Sequence, residues 1–483
     1  MDLIMGIDIG TSKTAVSMVD PNKYKIIKTV EEETPYLPSE EPWRREQSPI
    51  KIATVIRTLI KNTLNEADRI VAIGITGQMH GILGLDANGK PITNFVTWQD
   101  DRGNIPIEGK KSLIQEISEK AGDLNTNGIA SGFGLVTLYY WLKTGIKPHK
   151  ISTITDYIGM LLTGKNKVYI DPTMAESLGC LDVEKGRWKK DFLKALNIPI
   201  NILPELIEST KVIGETSGKG FFDLLKDKIP VVVSIGDNQA SFLGSVKYYT
   251  DTILLNIGTG AQISIAEESY QKASSLPFID GIDVQIRPFI ENKYLVAGNA
   301  ISGGVVYKTL FNFFKNVGTE FFGISNFDNL YKKMEESASR IFEEWEIGKK
   351  YNIEEMEKLE VYPLFAGKRS SPNVRGWIRG IGLTNLKPSN LVLETLKGMV
   401  KILTEMFDQD IINRKNYLVG SGNGIRRNIL LQRILEDMVK KRLSICKYSE
   451  EAVVGAIINA GVATGIYKSF DEASNLIDYG FIH

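Results

Sequence analysis

Asp8, Gly10, Thr11 and Lys13 lie within six residues near the start of a 483-residue chain. A carboxylate, a glycine, a hydroxyl and an ammonium at that spacing suit the holding of a phosphate and the divalent cation that accompanies it. Gly10 lets backbone approach a ligand with no side chain in the way, and successive peptide N–H groups in a tight turn attract anions. About half the chain later the design returns: Gly258 and Thr259 fall where Gly10 and Thr11 fall, and Asn256 replaces Asp8. Two such turns serving one nucleotide need only one metal-binding acid, which is consistent with the exchange.

The elements that must position these residues can be read around them. Leu3–Ile9 is an apolar run and Ala15–Val19 alternates, so two strands joined by a Gly-containing turn are expected. Leu255–Ile265 repeats that lead-in, turn and exit, which predicts two related domains, 1–246 and 247–483. Arg69–Ile75 reads as a buried strand delivering Thr76-Gly77-Gln78-Met79-His80-Gly81. Polar, flexible strand ends are where α/β proteins place ligand contacts. His80 reads either as a hydrogen-bonded structural histidine or as a ligand-facing one. The sequence Thr97-Trp98-Gln99-Asp100 offers a ring to the C–H face of a sugar and polar groups to its hydroxyls; an exposed loop with a packing tryptophan is the alternative. Ile229–Ile235 reads as a central strand buried on both faces, ending at Gly236-Asp237-Asn238. Asp237 is there either as a general base or as a helix N-cap, and position alone does not decide.

Helical stripes run through 50–66, 135–142, 154–162, 305–314 and 391–407. Glu451–Gly465 is rich in Ala and Gly, suited to close packing against a neighbour. Ser302-Gly303-Gly304 precedes one helix, and Tyr417–Val419 delivers Gly420-Ser421-Gly422-Asn423-Gly424, where backbone can lie against a base or phosphate. Residues 319–357 read as solvated helices with no assigned chemistry, and Gly376–Gly382 as a glycine-punctuated loop. Acidic and basic residues number 58 each, so no global field attracts nucleic acid or an anionic membrane. No apolar stretch approaches the ~20 residues of a membrane span. The amino terminus carries acid rather than Lys or Arg, and only Cys180 and Cys446 are present, so a cytoplasmic enzyme is expected. No GxxxxGK[ST], HExxH or CxxC motif occurs, which excludes a Walker-type site and suggests no zinc site.

GIDIGT, GQMHG, TWQD, GDNQA, NIGTG, GNAISGG, RGWIRG, GSGNG and EEAVVGAIINAG follow one another along nearly the whole chain. In that order they resemble the FGGY family of carbohydrate kinases, in the larger group of hexokinase, actin and the chaperone ATPases. The resemblance implies two duplicated ribonuclease H-like α/β domains flanking a catalytic cleft. It also implies transfer of the γ-phosphoryl group of ATP, with Mg²⁺, to a hydroxyl of a ketose, with a homodimer compatible. Gln78-Met79-His80 points to ketose kinases, since glycerol kinases carry Arg–Glu at that place. TWQD, the SGFG segment and Thr155-Asp156-Tyr157 look most like sedoheptulokinase, then xylulokinase; an actin- or chaperone-type ATPase is the distant alternative. The implied roles are base for Asp237 and Mg²⁺ ligand for Asp8. Gly10, Thr11, Lys13, Gly258 and Thr259 are implied at the phosphates, and Gly303, Gly420, Gly422 and Asn423 at the adenosine. Gln78, Met79, His80, Trp98, Asp100 and Asn238 are implied at the sugar. The chain departs from the family pattern at Asp101, where Gly is usual, at Leu138, where Lys is frequent, and at Asp171-Pro172-Thr173.

Overall fold

The computed structural model describes residues 1–65, 68–106, 111–124, 129–277, 284–300, 302–350, 359–367, 371 and 373–480. They form two compact units: the first holds the described residues of 1–247, 287–293 and 450–477, the second those of 248–286, 294–449 and 478–480.

In the first unit β1 (Asp2–Ile9) and β2 (Lys13–Asp20) form the expected hairpin, and β3 (Lys25–Glu33) continues the antiparallel meander. The helix α1 (Pro49–Thr63) starts where Ser48 accepts from the Lys51 amide, and it buries Ile52, Ile56, Leu59 and Ile60. That stripe at helical spacing leads the chain back to β4 (Arg69–Gly77), which runs parallel to β1. Further along, β5 (Val212–Glu215), β6 (Pro230–Val232) and β7 (Ile235–Gly236) complete the sheet, in the order β5-β6-β4-β1-β2-β3 with β7 also on β4. The apolar run 229–235 is therefore not one continuous strand. It breaks at Val233-Ser234, and the Ser234 hydroxyl donates to Asp156 Oδ1 at 2.7 Å and meets Thr155 Oγ1 at 2.9 Å. Both residues sit in α2 (Ile154–Thr163).

The second unit repeats the plan with β8 (Thr252–Ile257), β9 (Ala261–Glu267), β10 (Val284–Pro288, whose last two residues count with the first unit), β11 (Tyr294–Ala300), β12 (Tyr417–Ser421), β13 (Leu443–Cys446) and β14 (Tyr479–Gly480). Here β8/β9 and β9/β11 are antiparallel, β8/β12 and β12/β13 parallel, and β13/β14 antiparallel. The first unit has the same directions in β1/β2, β2/β3, β1/β4, β4/β6 and β6/β5. This is the duplicated ribonuclease H-like α/β architecture. Its second core packs Ile253, Leu255 and Ile263 of the sheet against Leu396, Val400, Ile434 and Leu435 of the helices Pro388–Thr404 and Ile429–Val439.

The helix at 451–465 runs from Glu451 to Ala463 and belongs with the first unit. The small residues on both sides are the reason. A Cβ on Gly6 of β1 would lie 2.8 Å from the Val453 carbonyl, and one on Gly74 of β4 would lie 2.1 Å from that of Ala456. Only a sheet surface with no side chain at those points lets a helix come that close. Helices Gly304–Phe322 and Leu330–Lys350 occupy most of 319–357, and the second buries Met334, Ala338 and Phe342; residues 351–357 lie outside the described residues. The loop expected at 376–382 contains the strand Trp377–Arg379, paired with Glu360–Tyr362. Among the described residues no helix is long and apolar enough to cross a membrane.

Candidate active site

Three neighbouring strands of the first unit end side by side. Ile9 of β1 pairs with Gly77 of β4, and Gly77 pairs with Gly236 of β7. Their carboxyl ends thus present Gly10–Ser12, Gln78–His80 and Asp237–Asn238 together, where open α/β sheets bind ligands. A Cβ on Gly236 would lie 2.8 Å from Met79 Sδ, so Met79 packs against the position before Asp237.

The first turn is held by its carbonyls. The Ser12 oxygen accepts from Thr34 N at 2.8 Å and the Thr11 oxygen from Gln47 Nε2 at 2.9 Å, while the Gly10 oxygen receives a long contact, 3.5 Å, from Gln78 Nε2. The described residues supply no acceptor for the peptide N–H groups of Thr11 and Ser12. Carbonyls turned into the protein with amides left over make an anion-binding nest. Gln47, fully buried, also donates to Thr34 O and accepts from Gln78 Nε2 at 2.9 Å. Sequence reading missed Gln47, because a lone amide in a polar, Pro-containing stretch carries no signal. Lys13 Nζ bonds Glu31 at 2.7 Å and Glu450 at 2.8 Å. Burial pulls its pKa down, but the two carboxylates outweigh that and raise it.

Asp8 stands on β1 between Ala15 and Thr76, and its Oδ1 is shut from solvent with no hydrogen-bond partner. Burial, then Asp237 and Glu450, push its carboxyl up to about 8 against the pull of Lys13. An orphaned buried carboxylate oxygen facing further acids is the environment a divalent cation relieves, so Asp8 fits a Mg²⁺ ligand. Asp237 is the first residue of α3 (Asp237–Ser245); the N-cap is Gly236, which removes the N-cap alternative. Burial raises the Asp237 carboxyl to about 6, with Arg287 acting in the opposite direction. Arg287 reaches the site on the returning segment 287–293, anchored where Gln239 Nε2 donates to Pro288 O at 3.2 Å and Phe289 meets Phe242 edge-on. Behind Gly236, its amide donates to Thr173 Oγ1 at 2.8 Å, and Thr173 donates in turn to buried Asp171.

His80 takes φ 72°, stacks on Phe133 at 4.8 Å and places Nδ1 2.8 Å from the Ser177 carbonyl. A carbonyl can only accept, so Nδ1 carries the proton. Trp98 is half-exposed and donates from Nε1 to Thr11 Oγ1 at 2.9 Å. Asp100 is placed differently from a sugar contact. Both its oxygens serve Arg102, at 2.6 and 3.0 Å, and Oδ2 also accepts from Arg45 N, so it fixes the loop that carries Trp98.

In the second unit the Gly258 and Thr259 carbonyls accept from Gly304 N and Val305 N at 2.8 and 3.2 Å. A Cβ on Gly303 would sit 2.2 Å from Gly260 O, so this glycine lets the helix start press onto the turn. Gly422, at φ 83°, faces Ile257 O and Asn256 Oδ1 in the same way, and Asn423 opens the helix that follows. Gly420 lies inside β12 against Ile425 and Leu443 side chains, a packing position.

A family model described as "FGGY family of carbohydrate kinases, N-terminal domain" matches residues 3–244. Relatives include a glycerol kinase of Lactobacillus acidophilus, 24% identical and covering 99% of this chain and 92% of its own, and a sedoheptulokinase of Mus musculus, 24% identical over 89% and 91%. Among solved structures, a gluconate kinase from Lactobacillus acidophilus superposes with TM-score 0.80 at 20% identity over 99% of this chain and 93% of its own. Plasmodium falciparum glycerol kinase with ADP superposes with TM-score 0.78 at 21% identity over 99% and 92%. At these identities the superpositions speak for the fold alone.

Proposed function

The chain belongs to the FGGY family of carbohydrate kinases, phosphotransferases with an alcohol acceptor, and from that premise we propose that it transfers the γ-phosphoryl group of ATP to a hydroxyl of sedoheptulose in the cytoplasm. The observation that carries the reading is the alignment of three strand ends, which puts Asp237 at the same edge of the sheet as Asp8, near enough for its charge to raise the Asp8 carboxyl, and next to Met79. Asp237 accepts the proton of the attacking hydroxyl, the new O–P bond forms, and the bond from the γ-phosphorus to the bridging oxygen breaks to leave ADP. Asp8 would hold Mg²⁺, which would supply charge neutralisation at the phosphates. The phosphates are assigned to Gly10, Thr11 and Lys13 of the first unit and to Gly258 and Thr259 of the second, and the adenosine to the Gly303 and Gly422–Asn423 turns. Lys13 must exchange a carboxylate partner for phosphate to do so. Gln78, Met79, His80, Trp98 and Asn238 contact the sugar, and Asp100 supports Trp98 from behind. The ketose assignment draws on Met79-His80 and on the sedoheptulokinase relative, and the nucleotide on the kinase chemistry of the family.

ADP release measured with sedoheptulose, xylulose, ribulose, fructose, gluconate and glycerol tests the substrate. A kcat/KM higher by about tenfold for any other acceptor overturns sedoheptulose and leaves the kinase reading standing. Asp237→Ala is expected to lower kcat by about 10²–10⁴ with the sugar KM kept; a wild-type rate removes Asp237 from the base role.

A further inference from the structure

The turn Gly10–Ser12 is held from two sides that differ in freedom. One side is rigid: Gln47 is fully buried and has both its amide donors and its acceptor engaged, on Thr11 O, Thr34 O and Gln78. The other side is Trp98, a residue 39% exposed, whose Nε1–H holds the Thr11 hydroxyl at 2.9 Å. The backbone of Trp98 has no such freedom. Its carbonyl presses on Gly132, where a Cβ would lie 1.9 Å away, and the loop behind it is tied by the buried Asp100–Arg102 pair. Arg102 is itself fixed by Glu46 at 2.8 Å and stands over the Tyr140 ring at 5.1 Å. Only the indole ring can therefore respond to what stacks on it, and the group that feels that response is Thr11.

We propose that Trp98 is a positioning residue for the phosphate turn. Occupation of the sugar side fixes the indole ring, the ring fixes the Thr11 hydroxyl and the turn around it, and phosphoryl transfer runs fast only when both are set. The inference rests on the reading of Trp98 as a sugar platform and of Thr11 as a phosphate contact. It adds that one hydrogen bond couples the two functions within the first unit. Gln47 provides the fixed reference against which the turn moves, so the two ties differ in kind: Gln47 sets the turn at all times, Trp98 only when its ring is held. A hydrogen bond of neutral groups is worth roughly two- to tenfold in an equilibrium, and that is the scale of the coupling.

Replacing Trp98 by Phe keeps a stacking ring and removes the N–H. Steady-state kinetics of Trp98→Phe with the best sugar are expected to show kcat lowered about tenfold and the sugar KM changed less than about threefold. Thr11→Val is expected to lose at least that factor, since the phosphate contact goes with the bond, and Thr11→Ser to retain the wild-type rate, since it keeps the hydroxyl. The double variant Trp98→Phe/Thr11→Val is expected to be no slower than Thr11→Val alone, as two ends of one bond require. A double variant whose loss equals the product of the single losses overturns the proposal, as does a wild-type kcat for Trp98→Phe. Trp98→Ala separates the premises. If it raises the sugar KM at least tenfold while Trp98→Phe is fully active, the sugar-platform reading stands and the coupling falls. If it leaves the sugar KM unchanged, the platform reading falls and the coupling with it. Urea unfolding of each variant, expected to keep the wild-type midpoint, separates these effects from loss of fold.

Discussion

Alanine at position 455 sets two known magnitudes against each other. In an isolated helix Gly→Ala stabilises by about 1 kcal/mol, and Gly455 lies within α4 (Glu451–Ala463). The structure predicts the opposite sign. A Cβ on Gly455 would lie 1.9 Å from Ala240 O and 2.9 Å from Ala240 Cα, on the facing turn of α3, whereas ordinary contact begins at 3.4 Å. The helices must therefore part by 1.5 Å (3.4 − 1.9), and because the obstructing atoms are backbone no rotamer change relieves them. Overpacking of this kind costs about 1–3 kcal/mol and occasionally more, which at the upper end outweighs the helix-propensity gain and leaves a net loss of about 2 kcal/mol. The same shift separates groups that must work together, since α4 is seated on Gly6 of the strand that carries Asp8, and α3 begins with Asp237. A 1 Å misplacement can cost about 10² in rate. Urea unfolding and ADP-release kinetics on Gly455→Ala, with Gly244→Ala as the reciprocal variant (2.0 Å from Glu451 O), measure both effects. A Gly455→Ala protein more stable than wild type with an unchanged kcat would falsify the backbone-to-backbone contact and the coupling drawn from it.

Gly303→Ala, whose methyl would press on Gly260 O and Thr259 O, is expected to raise the ATP KM about tenfold while the sugar KM stays put; equal changes in both constants count against a nucleotide role for that turn. Arg102→Met leaves buried Asp100 without its cation and leaves Glu46 with Arg44 alone, at 2.9 Å, and urea unfolding is expected to show a loss of about 3–5 kcal/mol, the refuting result being a change under 1 kcal/mol. Burial raises the Asp156 carboxyl from 3.8 to about 7, so between those values the folded chain binds more protons than the unfolded one and this group's stabilisation is lost as pH rises. Asp156→Asn removes that slope: its stability relative to wild type should improve from pH 5 to pH 8, by at most about 3 kcal/mol at roughly 1.4 kcal/mol per unit over the two units from pH 5 to about 7, and an identical difference at both pH values contradicts the burial argument.

Much of the site was legible locally because its residues follow strand ends. Asp8, Gln78 and Asp237 each come directly after or within an apolar run, and such runs are recognisable without any partner in view. The two turns were legible as a repeat, since a Gly-Thr between strands keeps its spacing wherever it recurs. Asp100 shows the limit of that reading. Its type and neighbours suit a sugar, but a carboxylate two residues before an arginine can turn either way, and here it turns to Arg102 and Arg45. Gly420 and Gly303 show a second limit: a glycine reads alike whether it admits a ligand or a neighbouring backbone.

By itself the chain specified the strands, the duplicated turns and the acids after the apolar runs, because hydrophobic periodicity and turn chemistry act over a few residues. Tertiary structure alone decided that the helix 451–463 packs with the first unit, that Arg287 comes back within electrostatic reach of Asp237, and that Gln47 and Trp98 hold Thr11. Those contacts join residues from tens to hundreds of positions apart. Their formation depends on which small residues leave room and which buried polar groups find partners, and neither is written in any one stretch of sequence.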